Sequence, residues 1–122
     1  PNVQKLYVQI IQYEQRWTDG LTYFLNEVEL PFQLEKEKLD LLKRLESECP
    51  EQVLPIYHQF VVRLAEKKIR SHYQEAVQYM LKLDRLYTEL DRQDRFQEFI
   101  TIFKQKYKTY RALIQEMKLL NG

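Results

Sequence analysis

Glycine is nearly missing from this chain of 122 residues, with Gly20 and Gly122 the only two. No phosphate-cradling loop can be built from them, which excludes the nucleotide-binding motifs that depend on such loops. Two serines and four prolines complete a short supply of turn formers. That is too few for a β-sandwich or barrel, which needs a turn about every ten residues. Cysteine is reduced to Cys49, so no internal disulfide can form. Nothing therefore speaks for an oxidising compartment, and a cytoplasmic location is expected. His58 and His72 are the only histidines, and no set of three or four zinc ligands at suitable spacing is present. No stretch approaches the roughly 20 apolar residues of a membrane span, and a basic-then-apolar signal pattern is lacking at the N-terminus. No metal, cofactor, small-molecule substrate or membrane is expected as a partner. The chain begins at Pro1, almost on a periodic helix and without a methionine, and reads as a piece of a longer protein.

What is present is helix-forming. Apolar residues make up 44% and charged residues 30% of the chain, with nineteen Lys/Arg against eighteen Asp/Glu. Leu, Glu, Lys, Gln and Arg dominate, all good helix formers. The length suits one domain over residues 1–122, large enough to hide about 65% of the unfolded chain's surface. The expected fold is all-α, about six helices in consecutive antiparallel hairpins, forming a tetratricopeptide-like α-solenoid or a bundle.

Apolar periodicity places the helices. Val3, Leu6, Ile10, Tyr13 and Trp17 predict one inward stripe on a first helix. Asp19 and Gly20 are expected to break it, with Asp19 capping a second helix that carries Leu21, Phe24, Leu25 and Val28. Pro31 stops that helix, because proline disfavours helix in the residue before it. A third helix is predicted over 33–48, with Leu34, Leu39, Leu42 and Leu45 inward. A fourth follows Pro50 over 51–69, its inner face Leu54, Tyr57, Phe60, Val61 and Leu64, with Pro55 in its first turn. Ser71 is the natural cap of a fifth. Two apolar rows on that helix, Tyr73, Val77, Met80, Tyr87 and Tyr79, Leu83, Leu86, Leu90, mark it as the centre of the packing. A sixth runs over 94–120 with Phe96, Phe99, Phe103, Tyr107, Tyr110, Ile114 and Met117 on one side, about 40 Å long at 1.5 Å per residue.

An aromatic–polar–acid–variable–aliphatic pattern recurs at Trp17, Tyr73 and Phe96. Similar openings occur in the second helix of tetratricopeptide-like pairs, but intervals of 56 and 23 residues depart from the regular 34-residue period of that repeat. Degenerate helical hairpins are therefore expected.

Charge is unevenly spread: residues 1–51 carry six basic and ten acidic groups, residues 52–122 thirteen and eight. On the sixth helix Lys104, Lys108, Arg111 and Lys118 fall within about 80° of one another. Such a strip can face the phosphates of a nucleic acid. It can equally flank a buried seam and cover it with side-chain methylenes, and a net charge of +1 favours that second role. The abundant aromatics follow helix-seam spacing and are assigned to the core. His58, His72 and Cys49 lack the partners a nucleophile or an acid–base pair requires. Glu35/Glu37 and Glu46/Glu48 lie two apart, on different helix faces, and are solvated charges. No catalytic constellation emerges, and the chain is expected not to be an enzyme.

Four stretches carry a resemblance: Leu54-Pro-Ile-Tyr57, His72-Tyr-Gln-Glu-Ala-Val77, Leu83-Asp-Arg-Leu-Tyr87 and Tyr110-Arg-Ala-Leu-Ile-Gln-Glu-Met117. Over residues 54–118 the chain resembles the C-terminal helical region of bacterial SWIM zinc-finger family proteins. The finger of that family uses a Cys-x-Cys pair followed by Cys-x-His, absent from this chain, so the resemblance implies a zinc module upstream in the parent protein. It implies a protein- or DNA-interaction role, and no functional residue of the family maps onto a position here. The expected function is thus a non-catalytic helical interaction or scaffold domain, binding a partner protein or another part of its own chain. The alternative is accessory nucleic-acid binding through the basic strip.

Overall fold

In a computed structural model, which describes residues 2–121, seven α-helices and two short 3-10 segments follow one another, with no strand among the described residues. The fold is all-α. The chain divides into two units, Pro1–Ile56 and Tyr57–Gly122, and the charge divides with them. The first carries a net −4 and the second a net +5.

In the first unit α1 (Asn2–Tyr13), α2 (Trp17–Leu25) and α3 (Lys36–Glu48) pack against one another. Their core holds Val8, Ile11, Phe24, Leu41, Leu42 and Leu45. The break between α1 and α2 falls at 14–16, earlier than Asp19 and Gly20. Gln15 takes a left-handed conformation at φ 57°, and the turn closes with Gln15 N–H to Gln12 C=O at 3.2 Å and Arg16 N–H to Ile11 C=O at 2.9 Å. That pattern is a Schellman closure, which glycine usually supplies. Trp17 consequently opens α2 rather than ending α1, and Asp19 lies in the first turn of α2, where the helix dipole favours an acid. Gly20 sits buried inside α2, where a Cβ would stand 3.4 Å from Ile11 and from Leu45. Its role is close helix approach.

The inward stripe expected on α1 is also corrected. Val8 and Ile11 are the buried residues, while Val3, Leu6 and Tyr13 are 80%, 57% and 89% exposed. On α3, Leu41 is buried in place of Leu39. Val28 lies beyond the end of α2, in the loop that leads to a 3-10 turn at Pro31–Gln33.

α4 (Pro50–Ala65) opens with Pro50 and passes through the division between the units. Pro55 stands in its second turn, past the positions whose N–H groups lack helical acceptors, so it removes one helical hydrogen bond. In the second unit α5 (Arg70–Glu89) contacts α6 (Gln93–Lys106), α7 (Arg111–Glu116) and the closing 3-10 segment Met117–Asn121. The central place expected for this helix is what the structure shows: Tyr73, Val77, Met80, Leu83, Leu86 and Tyr87 are buried, with Leu90 half-buried. Arg70, not Ser71, is its first residue, and Ile69 occupies the cap position.

The long sixth helix is two helices. After Lys106 the chain turns, with Tyr107 N–H to Phe103 C=O and Tyr110 N–H to Tyr107 C=O, both 2.9 Å. The aromatic stripe survives the turn. Ring centroids run Phe96–Phe99 6.3 Å, Phe99–Phe103 5.7 Å, Phe103–Tyr107 4.5 Å and Tyr107–Tyr110 5.0 Å. The stripe joins α4 where His58 meets Phe99 edge-on at 4.3 Å.

Candidate functional site

Two cationic centres stand out, one in each unit. In the first, Lys38 on α3 is 6% exposed. Its ammonium donates to Glu29 Oε1 at 2.7 Å, Glu27 Oε2 at 2.9 Å and Gln4 Oε1 at 3.3 Å, and lies 5.5 Å from the Tyr23 ring centroid. Three donors thus find three acceptors. Glu27 is itself held by the loop it belongs to, its Oε1 accepting the N–H of Val28 at 3.0 Å and of Glu29 at 3.2 Å. Burial alone would lower the Lys38 pKa, but Glu29, Tyr23 and Glu27 beside the ammonium outweigh it and hold the value above the ordinary 10.5. Burial would raise that of Glu27; the Lys38 bond and the two backbone N–H groups reverse this and hold it below 4.5. A buried charge satisfied this way is structural, since an unpaired one would cost several kcal/mol. The sequence reading missed it; a lysine at an inward α3 position, preceded by two loop glutamates, was its signal.

The second centre is a notch of about 440 Å³ lined by Lys68, Arg70, Tyr73, Thr109, Tyr110, Arg111 and Ala112. The turn after α4, the start of α5 and the start of α7 each supply one cation. Lys68 is held at φ 58°, its ammonium 5.5 Å from the Tyr110 ring centroid. Arg70 is braced by Glu116 Oε2 at 3.0 Å and Gln115 Oε1 at 3.2 Å. Among the described residues no carboxylate pairs with Lys68 or Arg111.

The strip expected on one helix is therefore dispersed. Lys104 is half-buried on α6, Lys108 lies in the turn, Arg111 opens α7 and Lys118 stands in the last 3-10 segment. Of the four, Arg111 alone lines the notch. His58 shares a 2.9 Å hydrogen bond with Tyr87 Oη, and burial lowers its pKa. His72 and Cys49 are half-buried, and burial followed by the Glu48 carboxylate raises the Cys49 thiol pKa. Glu37 faces Lys5 at 3.8 Å and Glu48 faces Arg44 at 3.8 Å. Among the described residues no three His, Cys, Asp or Glu side chains gather to hold a metal, and no helix is long and apolar enough to cross a membrane.

The outer side of α1 forms a third feature. Val3, Leu6, Ile10 and Tyr13 recur at three- and four-residue steps and are all at least 36% exposed, with Tyr7 at the edge, where its ring lies 6.2 Å from that of Tyr23 on α2.

Over 85 residues the chain is 35% identical to the uncharacterized protein YwqB of Bacillus subtilis, an alignment that takes in 67% of this chain and 16% of YwqB. The chain thus spans about a sixth of that relative's length. No family model matches the chain, and no solved structure matches it.

Proposed function

We propose that this chain is a non-catalytic helical interaction module, a tetratricopeptide-like scaffold that packs another helix of its own polypeptide onto the outer face of α1. The observation that carries this reading is the exposed stripe Val3, Leu6, Ile10 and Tyr13. Scattered apolar residues on a surface are ordinary, but a contiguous stripe at helical spacing is the footprint of an amphipathic partner helix. The occupant is taken from the same polypeptide because in YwqB the matching stretch is 16% of a much longer chain, so neighbouring sequence is at hand at high effective concentration. The parent protein is read as a cytoplasmic one of the SWIM zinc-finger kind, with Cys-x-Cys and Cys-x-His outside these residues.

Photo-crosslinking tests this reading. A photoreactive amino acid replaces Leu6 in the full natural gene product, and the adduct is mapped by mass spectrometry. A crosslink to another segment of the same polypeptide is expected. A crosslink to a second copy or to a different protein overturns the choice of occupant, and no crosslink overturns the docking face.

A further inference from the structure

We infer that the notch formed by Lys68, Arg70 and Arg111 is a binding site for the phosphoryl group of a small organic phosphate. This stands independently of the α1 face. Its size, about 440 Å³, falls in the range of small-molecule sites and exceeds what a bare phosphate ion fills.

The charge pattern is unlike that of a surface arranged for stability. Three cations converge from three separate segments, and two of them, Lys68 and Arg111, have no carboxylate partner among the described residues. Arg70 alone of the three is matched, by Glu116 at 3.0 Å. Lys68 also occupies a left-handed position, φ 58°, that a glycine would fill without strain. In the first unit, by contrast, a single buried lysine receives two glutamates. A dianionic phosphoryl group would neutralise the two unpaired cations of the notch, and its oxygens suit a guanidinium fork together with a lysine point charge. A carboxylate would leave one positive charge unmatched.

The remaining walls indicate what the phosphoryl group is attached to. Arg70 is already oriented by Glu116 and Gln115, so that cation is ordered before a ligand arrives. Tyr73, Tyr110 and Ala112 make the rest of the wall partly apolar, which suits an apolar or planar body beside the phosphoryl group, and Thr109 adds a hydroxyl.

The test is a calorimetric and NMR titration of the chain with phenyl phosphate and with inorganic phosphate at constant ionic strength. Saturable binding is expected, with phenyl phosphate the tighter by about threefold or more because only it reaches the tyrosine walls. Arg111→Gln and Lys68→Gln should each weaken it by about tenfold, the usual weight of one charge-assisted contact. Lys118→Gln, outside the notch, should change it less than about twofold. Circular dichroism checks that each variant is folded, and two independent notch variants guard against the loss of one. Absence of saturation, equal binding of the two phosphates, or equal losses in all three variants overturns the site. So does binding confined to duplex DNA with Lys104 and Lys118 sharing the effect, which would point to a diffuse polyanion surface instead.

Discussion

The two units place their positive charge in opposite ways. The first, net −4, draws Lys38 inside and surrounds it with Glu27, Glu29 and Gln4. The second, net +5, keeps an aromatic file inside and leaves Lys68 and Arg111 at a surface notch where, among the described residues, neither has a carboxylate partner. A cation that is fully partnered holds structure and has nothing left to offer a ligand. A cation without a partner adds little to stability and is available to bind. The exposed apolar side chains also differ in arrangement: on α1 of the first unit Val3, Leu6, Ile10 and Tyr13 form a stripe, while in the second Ile69, Ile102 and Leu119 are exposed on separate elements. The first unit thus offers an apolar stripe and the second a cationic notch.

The sharpest way to break this contrast is Lys38→Ala, expected to destabilise the first unit by about 3–5 kcal/mol, because Glu27 would remain buried without its cation. Trp17, the single tryptophan, reports unfolding of that unit in urea. Adding Glu27→Gln to Lys38→Ala should recover part of the loss; no recovery would mean that packing, not charge, held Lys38. Leu83→Ala should destabilise the second unit by about 2–5 kcal/mol, with hydrogen exchange on α5 as the readout.

The same network has a pH signature. Glu27 titrates below its ordinary 4.5 in the folded chain, so its contribution is present above that value and lost as pH falls through the lowered one. Lys38 titrates above its ordinary 10.5, so its contribution is complete below 10.5 and lost only as pH rises through the higher value. In the parent both contributions are therefore complete from about pH 5 to pH 10. In Lys38→Ala burial acts on Glu27 without the opposing cation, so the difference in urea midpoint should shrink as the solution is acidified. A difference that grows on acidification would contradict the pairing.

Smaller effects test the turns and the notch. Asp91, at φ 58° with Arg92 N–H bonded to Tyr87 C=O at 2.8 Å, repeats the closure seen at Gln15. Asp91→Gly should stabilise by about 0.5–1 kcal/mol, seen as a raised melting temperature. Arg111→Ala and Lys68→Ala should each move stability by less than about 0.5 kcal/mol.

Helix type was legible in the sequence, and on α4 and α5 so were the buried residues. The inner face of α4 and the central place of α5 follow directly from spacing, since Leu54, Tyr57, Phe60, Val61 and Leu64 are all buried as expected. On α1 the rule failed because both faces are apolar. Val8 and Ile11 go inside and the longer stripe stays out, a choice made by the packing of α2 and α3. The turns hid for a different reason. Gln15, Lys68 and Asp91 take the left-handed positions that glycine would have announced, and the break at 107–110 carries neither glycine nor proline. There Tyr107 is fixed from outside its helix, its hydroxyl donating to Glu66 at 2.6 Å. The notch depended on these hidden turns, so Arg111 was expected beside Lys104 and Lys118 rather than beside Lys68 and Arg70.

Lysine acylation read by mass spectrometry, with and without phenyl phosphate, tests the contrast most directly. Lys68 should react at close to the rate of a free side chain and slow when phenyl phosphate is present. Lys38 should react at least about tenfold more slowly, through rare opening of the first unit, and be indifferent to the phosphate. Equal reaction of Lys38 and Lys68, or a phosphate effect on Lys38 and none on Lys68, would contradict the account.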